Sequence, residues 1–289
     1  MSWTFENAIP PIGSITEGPA WDGKHLYFTN IAMSRVLKFD PVSDVVSVWR
    51  TDTNSANGLN LDSKGRIFAC EGGAHRIVRY DHDGSTRTVV DRLKGRKINV
   101  PNDLAIDPQD RIWFSDPIGQ VGSDYQLDHS SILCAEPQPD GSYLCVRKTF
   151  DTTSPNGLLF SKDYKTLYVA QSDYRGCERR ELRAYPVNPD GTLGKYRLLH
   201  DFGPHRGIDG MTLTQDGLIV ATCGWEVSGP GGMIAVFEPN GRIVETHPTP
   251  CKRPTNCTFI GPDLYVTSIE GHLLRVRDTG LKGHLLYPN

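Results

Sequence analysis

Six residues of the 289-residue chain, Glu17, Asn57, Asn102, Asn156, Asp209 and Asn256, hold one position in a repeated pattern. They lie 40 residues apart from Glu17 to Asn57, then 45 to Asn102, 54 to Asn156, 53 to Asp209 and 47 to Asn256. One Asn before a Gly is an ordinary turn former. Six out of six oxygen-bearing side chains, with no Ser, Thr or Lys in the column, point to a shared task. Two carboxylates, Glu17 and Asp209, would offset a divalent charge, and amide oxygens would fill further positions. Such an all-oxygen set suits a hard cation. The ion expected is Ca²⁺ first, then Mn²⁺, Mg²⁺, Fe²⁺ or Zn²⁺. A nitrogen and sulfur zinc centre is disfavoured, because none of the nine His falls in the column or shows HxxxH spacing. The column residue is followed by Gly18, Gly58, Gly157 and Gly210, but by Asp103 in the third copy and Cys257 in the sixth. Asp103 brings a third carboxylate, readable as a partner of the ligands, a general base or the cap of a turn.

The elements that must position these residues share one grammar. A short apolar run is followed by a turn rich in Asp, Gly and Lys, then by an aromatic or β-branched run such as "RIFAC", "RIWFS" or "TLYVA". A third alternating run follows, as in "SRVLKFD" and "HRIVRYD", and several copies show a fourth. Short strands repeating every forty to fifty-odd residues, with no amphipathic helix period, predict an all-β, six-bladed β-propeller over residues 1–289 as one domain. The first strand of each blade lines the central channel, so the column becomes a ring with a metal site at its centre. The N-terminal "WTFENAI" is expected to complete the last blade as its outer strand. The spare length in "PIGQVGSDYQLDHSS" and "SDYRGCERRE" is expected to form long loops.

Composition bounds the partners. A formal net charge of −3 gives no broad pull toward nucleic acid or anionic lipid. The basic cluster from Arg92 to Lys97 reads as a solvated turn. No basic, apolar leader opens the chain, and no apolar run reaches membrane-spanning length. The expected compartment is the cytoplasm, with seven reduced cysteines and no CxxC pair.

The runs "TEGPAW", "VPNDLAIDPQDRIWFSDP", "SPNGLLFSKDYKTLYVAQS", "GIDGMTLTQDG" and "TNCTFIGPDLYVTS" together resemble the senescence-marker-protein, gluconolactonase and luciferin-regenerating-enzyme family, in particular its bacterial gluconolactonase branch. The resemblance covers nearly the whole chain. It implies a six-bladed propeller with a divalent metal, often Ca²⁺, in the channel. By motif the implied ligands are Glu17, Asn156 and Asp209, with Asn102 as a ligand or a substrate contact. It implies that Asn57 and Asn256 stand in the channel, hydrogen-bonded. One departure is Val100, which stands where the animal lactonases carry an Arg that contacts aldonic sugar lactones.

The chemistry that fits is metal-assisted hydrolysis of a small lactone or ester, the cation polarising the carbonyl oxygen. Asp209 is the expected general base, with Asp103 in reserve. Wall candidates around the mouth are Trp21, Glu71, His75, Asp116, Tyr174, Arg175, His205, Arg206 and Trp225. Of these, Glu71, His75, Tyr174, His205, Arg206 and Trp225, with Asn102, are the expected substrate contacts. Each wall candidate also has a plainer reading as packing or turn bracing. Two other readings of the ring stay open: phosphotriester or fluorophosphate hydrolysis on the same site, and a non-enzymatic propeller that binds a protein or peptide.

Overall fold

The computed structural model describes residues 3–119, 126–172 and 179–285. Six antiparallel sheets of at least four strands stand around a central channel. Their innermost strands are Thr16–Trp21, Ala56–Leu61, Leu104–Ile106, Pro155–Phe160, Ile208–Thr214 and Pro254–Ile260. The six-bladed propeller expected from the repeats is therefore the observed fold. Among the described residues no helix is long and apolar enough to cross a membrane.

Apolar side chains fill the seams between blades. Tyr27 and Val36 of the first blade pack on Leu59, Leu61 and Ile67 of the second, and equivalent clusters fill the other five seams. Both faces of a middle strand are thus covered, which explains why "LYFTN" and "IFACE" are buried at every residue instead of alternating. The six cysteines within the described residues are free and buried.

The first and last blades share their closure. Phe5–Ile9 pairs with Leu273–Val276 as the outer strand of the sixth blade, with Phe5 opposite Val276, as the sequence indicates. A second closure has no counterpart in the repeat pattern. Gly283–His284 pairs with Leu213 and Thr214 on the inner strand of the fifth blade. A Cβ at Gly283 would come within 2.3 Å of the Phe259 side chain, so this segment packs too tightly for any larger residue.

Two local expectations concern a turn and the long loops. The Arg92 to Lys97 cluster is a hairpin, with Arg92 opposite Lys97, turning through Lys94 and Gly95, both at positive φ, and burying Leu93. The second long loop lies mostly outside the described residues, as does part of the first; what is described of them carries no strand before Ser131 or between Ser172 and Arg180.

Candidate functional site

Strand pairing shifts register in five of the six inner strands at the column itself: Glu17/Ala20, Ala56/Leu59, Pro155/Leu158, Ile208/Met211 and Pro254/Cys257. Such an irregularity takes one residue out of the pleat and lets its side chain turn toward the axis. In the third blade the column residue precedes the strand, which begins at Leu104. The glycines after the column serve a steric purpose. A Cβ on Gly157 would lie 2.2 Å from the Asp209 carbonyl oxygen, and one on Gly210 would lie 2.1 Å from the Asn256 side chain. Each blade's Gly thus clears space for the next blade's channel segment.

Four column residues, Glu17, Asn156, Asp209 and Asn256, are buried, while Asn57 and Asn102 are half-buried. Asn256 ties the ring together. Its Nδ2 donates to Glu17 Oε2 at 3.0 Å and to Asp103 Oδ2 at 3.2 Å, and its Oδ1 accepts the Cys257 N–H at 2.9 Å. Asp103 also caps its own turn, accepting the Leu104 N–H on Oδ1 at 2.9 Å. It lines a cavity of about 120 Å³ on the lower side of the ring, together with Gly18, Asn256, His284 and Leu285. Asp103 therefore joins the two plainer readings, partner of the ligands and cap of a turn. Asn256 is hydrogen-bonded in the channel as the resemblance implies. Asn57 is not, because its buried Oδ1 has no partner.

Burial pushes Glu17 well above the usual carboxylate range, and the charges of Asp209 and Asp103 push it further. Burial raises Asp103 to about 7, against hydrogen bonds from Leu104 and Asn256 that lower it. The cation beside this trio is Arg206, whose Nη2 donates to Asp209 Oδ2. Among the described residues three carboxylates meet one guanidinium, which leaves the ring acidic.

The donor chemistry fits a divalent ion. The side chains of Asn102 and Asn156 make no hydrogen bond to any described residue, and Asn57 Oδ1 is orphaned although buried. Hydrogen-bonding groups are rarely left so without a ligand or water. No group of three or more His, Cys, Asp or Glu able to hold a metal is found among the described residues. The expected ligands Glu17, Asn102, Asn156 and Asp209 are not of that kind, since half of their donors would be amide oxygens.

Several expected wall residues have other employment. Glu71 is buried, and both its oxygens are taken: Tyr80 Oη donates at 2.8 Å to Oε1, and Arg76 Nε at 2.7 Å and Asn54 Nδ2 at 2.9 Å donate to Oε2. It braces the second blade. Arg206 is likewise buried, its Nη1 donating to the carbonyls of Gly224 at 2.9 Å and Pro254 at 3.1 Å. Trp21 lies at the far end of its strand and lines the lower cavity instead of the mouth. His75 is half-buried, with Nδ1 against the Asn99 carbonyl. His205 is exposed, and Trp225 is half-buried beneath the Arg253 guanidinium, 5.4 Å from its ring centre. Tyr174 and Arg175 lie outside the described residues.

Asp116 braces the segment that delivers Asn102 and Asp103. Its Oδ2 accepts the Asn99 N–H at 2.9 Å, and its carbonyl accepts Asn99 Nδ2 at 3.1 Å. Its Oδ1 is buried without a partner, and burial raises the carboxyl to about 8. The native state then keeps a proton that the unfolded chain releases near pH 4. This contribution to stability is full below pH 4 and is lost as pH rises through 8, by at most about 1.4 kcal/mol per pH unit. Asp116→Asn is expected to flatten that slope, with the larger gain at pH 8, in urea unfolding at pH 5 and pH 8. Equal slopes in both proteins would contradict this.

A family model described as the SMP-30/Gluconolactonase/LRE-like region matches residues 15–270. The chain belongs to that family. Among its relatives in this SMP-30/gluconolactonase/LRE-like family, a gluconolactonase of Zymomonas mobilis is 27% identical, covering 91% of this chain and 78% of its own. A pentonolactonase of Haloferax volcanii is 26% identical, covering 88% and 81%. The solved structure of a gluconolactonase from Xanthomonas campestris is 28% identical and superposes with a TM-score of 0.82, covering 98% of this chain and 90% of that one. Membership at this level fixes the fold and the family, and leaves the bacterial subtype open.

Proposed function

We propose that this chain is a divalent-metal-dependent hydrolase that opens a small lactone. The observation that carries the reading is the meeting of three buried carboxylates, Glu17, Asp103 and Asp209, on one ring beside amides with no partner. An uncompensated buried charge costs several kcal/mol, and a bound cation removes that cost. A scaffold that only binds protein has no use for this arrangement.

Glu17, Asn102, Asn156 and Asp209 would hold the ion, and Ca²⁺ remains the first choice. When bound, the ion supplies a Lewis acid for the lactone carbonyl oxygen. Asn256 and Asp103 hold the Glu17 side of the ring in place through the bonds described above. Asp209 takes the proton of the attacking water at Oδ1, across the carboxylate from the Arg206 contact. Asp103, with both oxygens hydrogen-bonded and turned to the lower cavity, is the weaker candidate for that step. Relatives named as gluconolactonase and pentonolactonase support a sugar-derived lactone. Val100, packed beside Gly72 where the animal lactonases carry an Arg, supports including apolar lactones among the trials.

The test is a panel of aldonolactones, aliphatic lactones, aryl lactones and a phosphotriester, assayed on chelator-treated protein with Ca²⁺, Mn²⁺, Mg²⁺ or Fe²⁺ restored in turn. At least one lactone is expected to turn over only when a divalent ion is restored. Full lactone hydrolysis by the metal-free protein, or none with any ion, would overturn the reading. Phosphotriester turnover without lactone turnover would transfer the site to the other substrate class.

A further inference from the structure

Arg206 stands three residues before Asp209 and is 3% exposed. Its Nη1 is held by the carbonyls of Gly224, in the Ile219–Trp225 strand of the fifth blade, and Pro254, in the Pro254–Ile260 strand of the sixth. Its Nη2 meets Asp209 Oδ2. A guanidinium anchored to the backbone of two blades stays where it is when a ligand arrives. It is a fixed positive charge at the edge of the ring, and its planar fork orients the carboxylate.

We propose that Arg206 determines which charge class of ion the ring accepts, by offsetting Asp209, one of the three carboxylates found there among the described residues, so that the site matches a divalent cation and disfavours a trivalent one. This role rests on the divalent-cation reading and adds the residue that limits ion charge. Arg206 touches the proposed ligand Asp209, so its role is one of positioning and charge. A positive charge held against a ligand carboxylate, at an effective dielectric constant of about 20, would disfavour each added unit of ion charge by on the order of tenfold to a hundredfold. Removing it should help every cation, and a trivalent ion more than a divalent one.

The experiment measures Ca²⁺ and Tb³⁺ affinities by calorimetry on the full chain, for the wild type and for Arg206→Met, Arg206→Gln and Arg206→Lys. The Met and Gln variants remove the charge, and Gln keeps a donor for the carbonyls should the Met variant fail to fold. Both are expected to raise the Tb³⁺ to Ca²⁺ affinity ratio at least about tenfold. The Lys variant should keep the wild-type ratio, even if both affinities fall with the loss of the fork. An unchanged ratio in the charge-removing variants overturns the inference, as does a Lys variant that shifts the ratio as far as Met or Gln does. A structural role alone would lower both affinities in parallel. If the wild type binds neither ion, the divalent-cation reading itself has failed.

Discussion

Asp209→Asn is expected to leave the propeller folded while lowering lactone turnover by on the order of a thousandfold and Ca²⁺ affinity by at least about a hundredfold. The substitution removes one of the two column carboxylates and the proposed proton acceptor in a single step. Losing one partner of a buried ion pair ordinarily costs about 3–5 kcal/mol, because the other charge is left alone. Here Arg206 keeps the carbonyls of Gly224 and Pro254, and an Asn oxygen can still accept from Nη2. The cost should therefore lie nearer about 1–3 kcal/mol. Circular dichroism would follow the fold, calorimetry the ion and a lactone assay the rate. Undiminished turnover would remove Asp209 from the mechanism. Loss of turnover together with the fold would show only that the Arg206 contact is structural. Glu17→Gln supplies the contrast, since it should lose the ion while making the metal-free ring easier to bury.

The second large effect is a loss of pH dependence when the ion binds. In metal-free protein Glu17 and Asp103 hold protons that the unfolded chain releases near pH 4. Native carboxyls raised in this way give full stability below pH 4, and the Asp103 share is lost as pH climbs through 7. The chelated protein should melt at a lower temperature at pH 8 than at pH 5.5. Saturating Ca²⁺ binds the deprotonated ring, and a concentration about a hundred times Kd adds about 2.7 kcal/mol to the folded state. That gain should be larger at pH 8 and should narrow the gap between the two melting temperatures. Thermal melts at both pH values, with chelator and with Ca²⁺, decide the point. Parallel shifts at the two pH values would mean that the carboxylates do not bind the ion.

The propeller is legible in the sequence because its repeat is local. The column residues, the turns and the strand grammar all recur within each copy, and the closing strand "WTFENAI" stands out as a strand left without a blade. The placement of partners across the fold is not legible in the same way. Glu71 sits at a strand end near the mouth, and only the folded chain shows Asn54, Arg76 and Tyr80 taking its oxygens. Arg206 reads as a cation for the substrate, but the carbonyls that hold it lie 18 and 48 residues further on. The Gly after four of the six column residues suggests a bent backbone. Its decisive contact is with the neighbouring blade, as at Gly157 against Asp209. The Gly283–His284 strand is too short for any pattern to mark it.

Closing the sixth blade with Phe5–Ile9 has a consequence for the order of assembly. Ala8, Ile9, Phe28 and Phe39 meet Tyr265 and Leu273 only after nearly the entire chain has been made. The seam is a contact of very high sequence separation, which places it late in folding and makes its formation slow. The oxygen ring shares that fate, since Glu17 and Asn256 stand on either side of the seam and bond across it. An ion that bridges them would act as a latch on the finished ring, slowing its opening more than it hastens its closing.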